Sequence, residues 1–170
     1  YQEILENVSK IGWNLYGVSS RDARAKHWRA DFVDDDSVLS RMDITHKIKD
    51  EYKWVGKMWE IMRDSHLHGH ELVRVNINAH TFGTEGYLHT DRTADGHHFT
   101  VVYAVPYWTP EYAGESVFYN DGGELITSLL PKPNRIVSFQ GIMPHGGRSP
   151  SKNCQDLRIV FDFKSRIPKI

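Results

Sequence analysis

Beyond residue 70 this chain reads as one short strand after another, with no helix between them, and that pattern constrains its fold more than any other feature. Runs of β-branched and aromatic residues over 72–78, 86–91, 100–105, 116–119, 125–128, 135–139, 144–148 and 157–164 are separated by clusters of Gly, Pro, Asn and Asp. That spacing predicts about eight strands joined by turns, without the helical crossovers that a parallel sheet requires. The expected fold class is therefore mainly β (α+β), a double-stranded β-helix or jelly roll. The first third is mixed. Ile4, Leu5 and Val8 have helical spacing, and residues 13–18 suit a short strand. Tyr52, Val55, Met58, Trp59 and Met62 recur at three- and four-residue steps and predict an amphipathic helix over 48–64. The N-terminal helices are expected to cover one sheet. One domain over 1–170 follows, with a helical and mixed part at 1–70 and a jelly-roll core at 72–165.

Length and composition narrow the setting. A globular chain of 170 residues buries roughly 70% of its unfolded surface and needs no staples. Lys plus Arg number 21 against 22 for Asp plus Glu, so no nucleic-acid partner is expected. No apolar run approaches the length of a membrane span, so no membrane partner is expected either. Cys154 is the single cysteine, which excludes an internal disulfide and favours a reducing, cytoplasmic location. The first residue is Tyr rather than Met, so the sequence need not include the true N-terminus. Ten histidines are the unusual entry in the composition, and histidine is the commonest metal ligand.

The segment GYLHTDR sets His89 and Asp91 two residues apart. On a strand, residues i and i+2 face the same side, so an imidazole and a carboxylate can reach one ion. His145, in MPHGG, offers a third ligand from a distant strand. Two histidines and one carboxylate on one face of an octahedral ion leave positions open for a co-substrate and dioxygen, as in non-heme Fe(II) oxygenases. A solvated turn pair is the plainer reading of His89 and Asp91. In LRIVFDF, Leu157, Ile159, Phe161 and Phe163 alternate with Arg158, Val160 and Asp162. The apolar set suits packing on the helices, which turns Arg158 into the jelly-roll interior. A buried guanidinium there needs a carboxylate. Asp162 is the nearby candidate, and the far carboxylate of a bound 2-oxo acid is the functional one.

YLHTD, AGESVF, PKPNRIVSFQG, MPHGG and LRIVFDF, in this order, resemble the core of the prolyl 4-hydroxylase-type 2-oxoglutarate/Fe(II) dioxygenases. The resemblance covers about residues 72–165, more than half of the chain. It implies that His89, Asp91 and His145 bind iron and that Arg158 grips the C5 carboxylate of 2-oxoglutarate. It implies Fe(II), 2-oxoglutarate and O2 as cofactors, with ascorbate as a reductant. The activity it implies is hydroxylation of an unactivated C–H bond, with a free or peptidyl proline as the first substrate to consider. A peptide or another small molecule would then be the partner. Two departures stand out. Family members often carry a tyrosine nine or ten residues before the first histidine to hydrogen-bond 2-oxoglutarate, and this chain has Ala79 and His80 there. That role passes to Asn78 or His80. Some prolyl hydroxylases use lysine in place of the arginine anchor, and the 13-residue step from His145 to Arg158 is slightly long. The rivals from other classes are a cupin-like metal-binding module without turnover and a zinc hydrolase.

The remaining motifs have weaker implications. HLHGH (His66, His68, His70) suits a helix C-terminus entering a turn better than a second metal clip. His97 and His98 are expected on a rim, and Tyr87 on the border of the pocket. Tyr107, Trp108 and Tyr112 could form a substrate lid, or Trp108 could fold back on the sheet.

Overall fold

A computed structural model of the chain describes residues 1–18, 26–33, 43–91 and 96–168. In chain order they form α1 (Gln2–Val8), β1 (Asn14–Gly17), β2 (His27–Asp31), α2 (Lys53–Ser65), β3 (Glu71–His80) and β4 (His98–Tyr103). The chain then continues through β5 (Ser116–Tyr119), β6 (Leu125–Leu129), β7 (Ile136–Gln140), β8 (His145–Gly147) and β9 (Arg158–Arg166). A six-stranded sheet has the order β1-β2-β3-β9-β4-β7, and a three-stranded sheet has the order β6-β5-β8. Every strand pairing is antiparallel. The two sheets enclose one cavity, in the manner of a jelly roll.

Alternation along the central strands separates a greasy core from a polar cavity. On β9, Ile159, Phe161 and Phe163 join the core under α2, while Arg158, Val160 and Asp162 line the cavity. Helix α2 buries Val55, Trp59 and Met62 on that apolar face, and Trp59 stacks on Phe163 with ring centroids 6.4 Å apart. Phe32 and Trp54 meet Phe161 from the other side. Strand β3 carries a register shift between Leu72 and Arg74. This bulge lets Leu72 and Val75 both reach the core, while Arg74, Asn76, Asn78 and His80 face the cavity.

The strand expected over 116–119 and the helical covering of the large sheet are both present. Three features differ from the sequence expectation. Residues 86–91 do not make a continuous strand: His89 forms an isolated bridge to His145, and Gly86 N–H donates to the Gly147 carbonyl. Tyr87 and Leu88 between them are 54% and 44% exposed, so this segment has no apolar face to bury. β2 was not expected, because its polar residues His27 and Arg29 face the cavity and only Trp28 and Ala30 face the core. The rim around 93–98 lies partly outside the described residues. Of its histidines, His97 is buried and His98 opens β4.

Candidate active site

The three metal-capable side chains come from the far end of the broken 86–91 segment, beyond Leu88, and from β8. Ligand atoms of His89, Asp91 and His145 all lie within 4.8 Å of one another, the single such group among the described residues. Asp91 Oδ2 is 3.6 Å from His89 Nε2 and 3.5 Å from His145 Nε2. Those gaps are too long for hydrogen bonds. They are slightly wider than the roughly 3 Å that separates neighbouring donors when each sits about 2.1 Å from a shared ion.

Both imidazoles are oriented by their own backbones. His89 Nδ1 lies 2.7 Å from the Tyr87 carbonyl, and His145 Nδ1 lies 2.8 Å from the Met143 carbonyl. A carbonyl only accepts, so each Nδ1 carries the proton and each Nε2 presents a lone pair to the centre. The rings of Phe139 and Phe99 lie 4.6 Å and 6.2 Å from His145, and Phe118 closes the third side at 6.4 Å. Burial in this cage lowers the His145 pKa, keeping the ring neutral. Burial also acts against a charged His89, but the Asp91 carboxylate and the Tyr87 carbonyl outweigh it and raise that pKa. Asp91 feels the opposite balance, because His89 and Arg74 overcome its desolvation and hold it below the usual carboxylate range.

Gly141 positions Asp91 and was not singled out in the sequence. Its carbonyl accepts from the Asp91 N–H at 2.8 Å, and its own N–H donates to the His97 carbonyl at 2.9 Å. A Cβ at Gly141 would stand 2.9 Å from the Phe99 ring and 3.2 Å from the Asp91 carbonyl. Only glycine leaves both contacts intact. Tyr87, expected at the pocket border, contributes its carbonyl, and Gly86 lines the cavity in its place.

At the other end of the cavity, Arg158 is 2% exposed. Its Nε donates to the Gly114 carbonyl and its Nη2 donates to Ser116 Oγ at 2.9 Å. The guanidinium lies 5.5 Å from the centre of the Tyr103 ring, and Tyr103 Oη donates to the same Ser116 Oγ at 2.6 Å. With both lone pairs of Ser116 occupied, its own hydroxyl proton is left to donate to a further group. Gly147 closes the other side, where a Cβ would sit 3.3 Å from Nη1 and Nη2. No carboxylate lies within ion-pair distance of Arg158 among the described residues. Asp162, the nearby partner considered from sequence, sits instead with its Oδ2 3.6 Å from Arg74 Nη2. Asp162 is four strand positions, roughly 13 Å, beyond Arg158.

Asn78 and His80 both line the cavity. The Asn78 Oδ1 is 3.2 Å from His27 Nε2. His80 Nδ1 contacts the Thr84 carbonyl, and its ring stacks on His27 with centroids 4.9 Å apart. Burial, with Arg158 nearby, lowers the His80 pKa to about 3. The outer motifs behave as structural elements. His66 follows the last turn of α2, and Gly69 turns the chain with φ +77°. Trp108 folds back on the sheet and donates to the Ala113 carbonyl. No helix among the described residues is long and apolar enough to cross a membrane.

No protein-family model and no curated protein sequence matches the chain. Solved structures do match in three dimensions. A 2OG-Fe(II) oxygenase family oxidoreductase from Burkholderia pseudomallei aligns with TM-score 0.65 at 10% identity, over 99% of this chain and 82% of that one. This chain has the fold of the 2-oxoglutarate/Fe(II) oxygenases. Prolyl hydroxylases are among those that share it. A Pseudomonas putida prolyl-4-hydroxylase aligns with TM-score 0.62 at 15% identity, over 97% and 83% of the two chains. A Trichoplax adhaerens prolyl hydroxylase, solved with a peptide fragment of hypoxia inducible factor, aligns with TM-score 0.65 at 13% identity, over 98% and 76%. On this oxygenase fold the His89–Asp91–His145 group and Arg158 face one shared cavity.

Proposed function

We propose that the chain is a single-domain 2-oxoglutarate- and O2-dependent Fe(II) hydroxylase. The observation that carries this reading is the pairing of a pre-oriented His-Asp-His group with a buried, carboxylate-free guanidinium across one cavity. His89 and His145 would bind Fe(II) through Nε2 and Asp91 through a carboxylate oxygen. Two neutral nitrogens and one anion suit a divalent iron and leave one face open. The guanidinium supports the presence of an anionic co-substrate, because an uncompensated buried charge costs several kcal/mol. Arg158 and the free Ser116 hydroxyl proton would hold the C5 carboxylate of 2-oxoglutarate.

Of the two candidates for the missing tyrosine, Asn78 fits better. A neutral His80 with its proton on Nδ1 has only an acceptor at Nε2 and cannot donate to a carboxylate. Asn78 retains amide N–H donors. His80 instead sits opposite Arg158 in the β3–β9 register. The three phenylalanines around His145 keep water from that side of the centre. When bound, iron and 2-oxoglutarate supply the oxidising power, with 2-oxoglutarate and O2 consumed to give succinate, CO2 and a hydroxylated product. Ascorbate would serve as an accessory reductant, and the substrate would be a small molecule or a peptide, proline being the first to test.

The test is anaerobic titration of the protein with Fe(II) and then 2-oxoglutarate, followed by admission of O2 with succinate measured. A visible charge-transfer band followed by succinate formation is expected. Metal binding with neither band nor succinate would identify a binding module without turnover.

A further inference from the structure

Strand β2 opens with His27, a cavity-lining side chain to which the reading above gives no role. Its ring stacks on His80 with centroids 4.9 Å apart. In the β2–β3 register Arg29 pairs with Asn78, so His27 lies diagonally across from Asn78, and its Nε2 is 3.2 Å from the Asn78 Oδ1.

The proton in this contact can be placed. His27 is 5% exposed, and burial outweighs the Asn78 contact to lower its pKa, so the ring is neutral and carries one N–H. Nδ1 is buried with no hydrogen-bond partner. A proton there would be an orphan donor, whereas on Nε2 it meets Oδ1, which only accepts. His27 therefore donates to Asn78. With Oδ1 held by the ring, both Nδ2 hydrogens of Asn78 point away from it. Asn78 lines the cavity and makes no other side-chain hydrogen bond among the described residues, so these hydrogens are left for what the cavity holds.

The level of Asn78 makes this orientation matter. In the β3–β9 register His80 pairs with Arg158, Asn78 with Val160 and Asn76 with Asp162. Asn78 is thus two strand positions, roughly 7 Å, from the level of Arg158 and as far from that of Asp162. Asp162 acts on both His89 and His145, so its level faces the metal group. A molecule that joins the guanidinium to the metal group passes the Asn78 amide. A carboxamide left to turn presents either its oxygen or its nitrogen to such a molecule, and only the nitrogen attracts a carboxylate.

Gly17 allows the ring to stand where it does. Strand β1 shifts register between Leu15 and Gly17, and Gly17 pairs with His27. A Cβ at Gly17 would lie 2.5 Å from His27 Nε2 and 2.6 Å from its Cδ2. The atom that a side chain at position 17 would displace is the atom that holds Asn78.

We propose that His27 is a positioning residue for the co-substrate, holding the Asn78 carboxamide so that its N–H donors face the path of 2-oxoglutarate between Arg158 and the metal group. The proposal rests on the hydroxylase reading above.

The experiment uses the full chain loaded with Fe(II) in the absence of O2. Calorimetry reads the 2-oxoglutarate dissociation constant, beside a thermal melt. His27→Leu removes the donor and should weaken 2-oxoglutarate about fivefold or more, the scale of one lost hydrogen bond, with iron affinity within about twofold of wild type. His27→Gln, whose amide nitrogen reaches the region of Nε2, should recover 2-oxoglutarate affinity to within about twofold of wild type. Asn78→Ala should weaken 2-oxoglutarate at least as much as His27→Leu. Adding His27→Leu to Asn78→Ala should weaken it no further, because the ring then has nothing to hold. If His27→Leu does not melt cooperatively, Gly17→Ala takes its place in the same comparisons, since it displaces the ring from outside the cavity. Wild-type affinity in the variant so used, losses that multiply in the double variant, or no recovery with His27→Gln overturns the proposal and leaves the hydroxylase reading in place. A wild-type chain that binds Fe(II) but not 2-oxoglutarate overturns both.

Discussion

The two ends of the cavity both bury cations, but they differ in how completely the protein satisfies them. Arg158 is held by the Gly114 carbonyl, by Ser116 and by the Tyr103 ring, with Gly147 cleared away beside it. Arg74 has a long contact to Asp162 and an Nε with no partner, next to an equally unpartnered Asn76 Oδ1. A guanidinium fixed by neutral acceptors keeps its charge and its direction, and suits one invariant carboxylate. The looser set at Arg74 leaves buried polar atoms that the protein itself does not complete. On the proposed reading, the contrast marks the Arg158 end as the one that holds the co-substrate.

The largest effect should come from removing the group that joins the two ends. His145→Ala is expected to abolish iron binding and turnover while the protein still melts cooperatively. Metal content measured beside a thermal melt checks this, and stoichiometric iron in the variant would sink the ligand assignment. Asp91→Gly should weaken iron and abolish hydroxylation, because it removes the single anionic ligand. Product mass after reaction under labelled O2 reads the outcome.

Arg158→Ala should raise the 2-oxoglutarate KM at least about tenfold, since a charge-assisted contact is worth roughly 1.5–3 kcal/mol. Iron affinity should stay near the wild-type value. An unchanged KM would erase the distinction between the ends. Gly147→Ala probes the same end more gently. Its new methyl would press on Nη1 and Nη2 from 3.3 Å, and a cost of ~1 kcal/mol corresponds to about a fivefold rise in the 2-oxoglutarate KM. A Gly147→Ala enzyme with wild-type KM would show that the guanidinium yields.

The last effect is on stability rather than on turnover, and it concerns pH. The His80 pKa falls from 6.5 to about 3 in the folded protein, through burial first and Arg158 second. Between those values the unfolded chain takes up a proton that the folded chain refuses, so stability should fall as pH drops through that window. One such proton contributes at most about 1.4 kcal/mol per pH unit. His80→Gln should make the acid side of the stability profile shallower, as measured by urea denaturation at a series of pH values. An unchanged slope would mean that His80 is not buried as a neutral ring.

Much of this was legible in the sequence because it rests on alternation. The Leu157–Phe163 face and the Arg158–Asp162 face separate as a period of two predicts. Ser116–Tyr119 is bounded by turn residues on both sides and could be read directly. The polar positions of the central strands could not. Arg74, Asn76 and Asn78 have the spacing of a solvated face, and only the second sheet packed over them turns that face into a cavity. β2 was hidden for the same reason. The Arg74–Asp162 pairing was also hidden, because it joins residues 88 positions apart in the chain. Gly141 left no signal of its own, since its role depends on where Phe99 and Asp91 come to lie.

The Nδ1 contacts of the two histidines have a further consequence for how this protein can change. Each ring is oriented by a carbonyl two residues earlier in its own segment, Tyr87 for His89 and Met143 for His145. Because a backbone carbonyl is present whatever side chain residue 87 or 143 carries, the orientation of the two rings is inherited with the local chain path rather than with any partner's identity. Drift elsewhere in the barrel can then reshape the Arg74 end of the cavity while the two Nε2 atoms keep their aim. A chain built this way can take up a new substrate without having to reinvent its reactive centre.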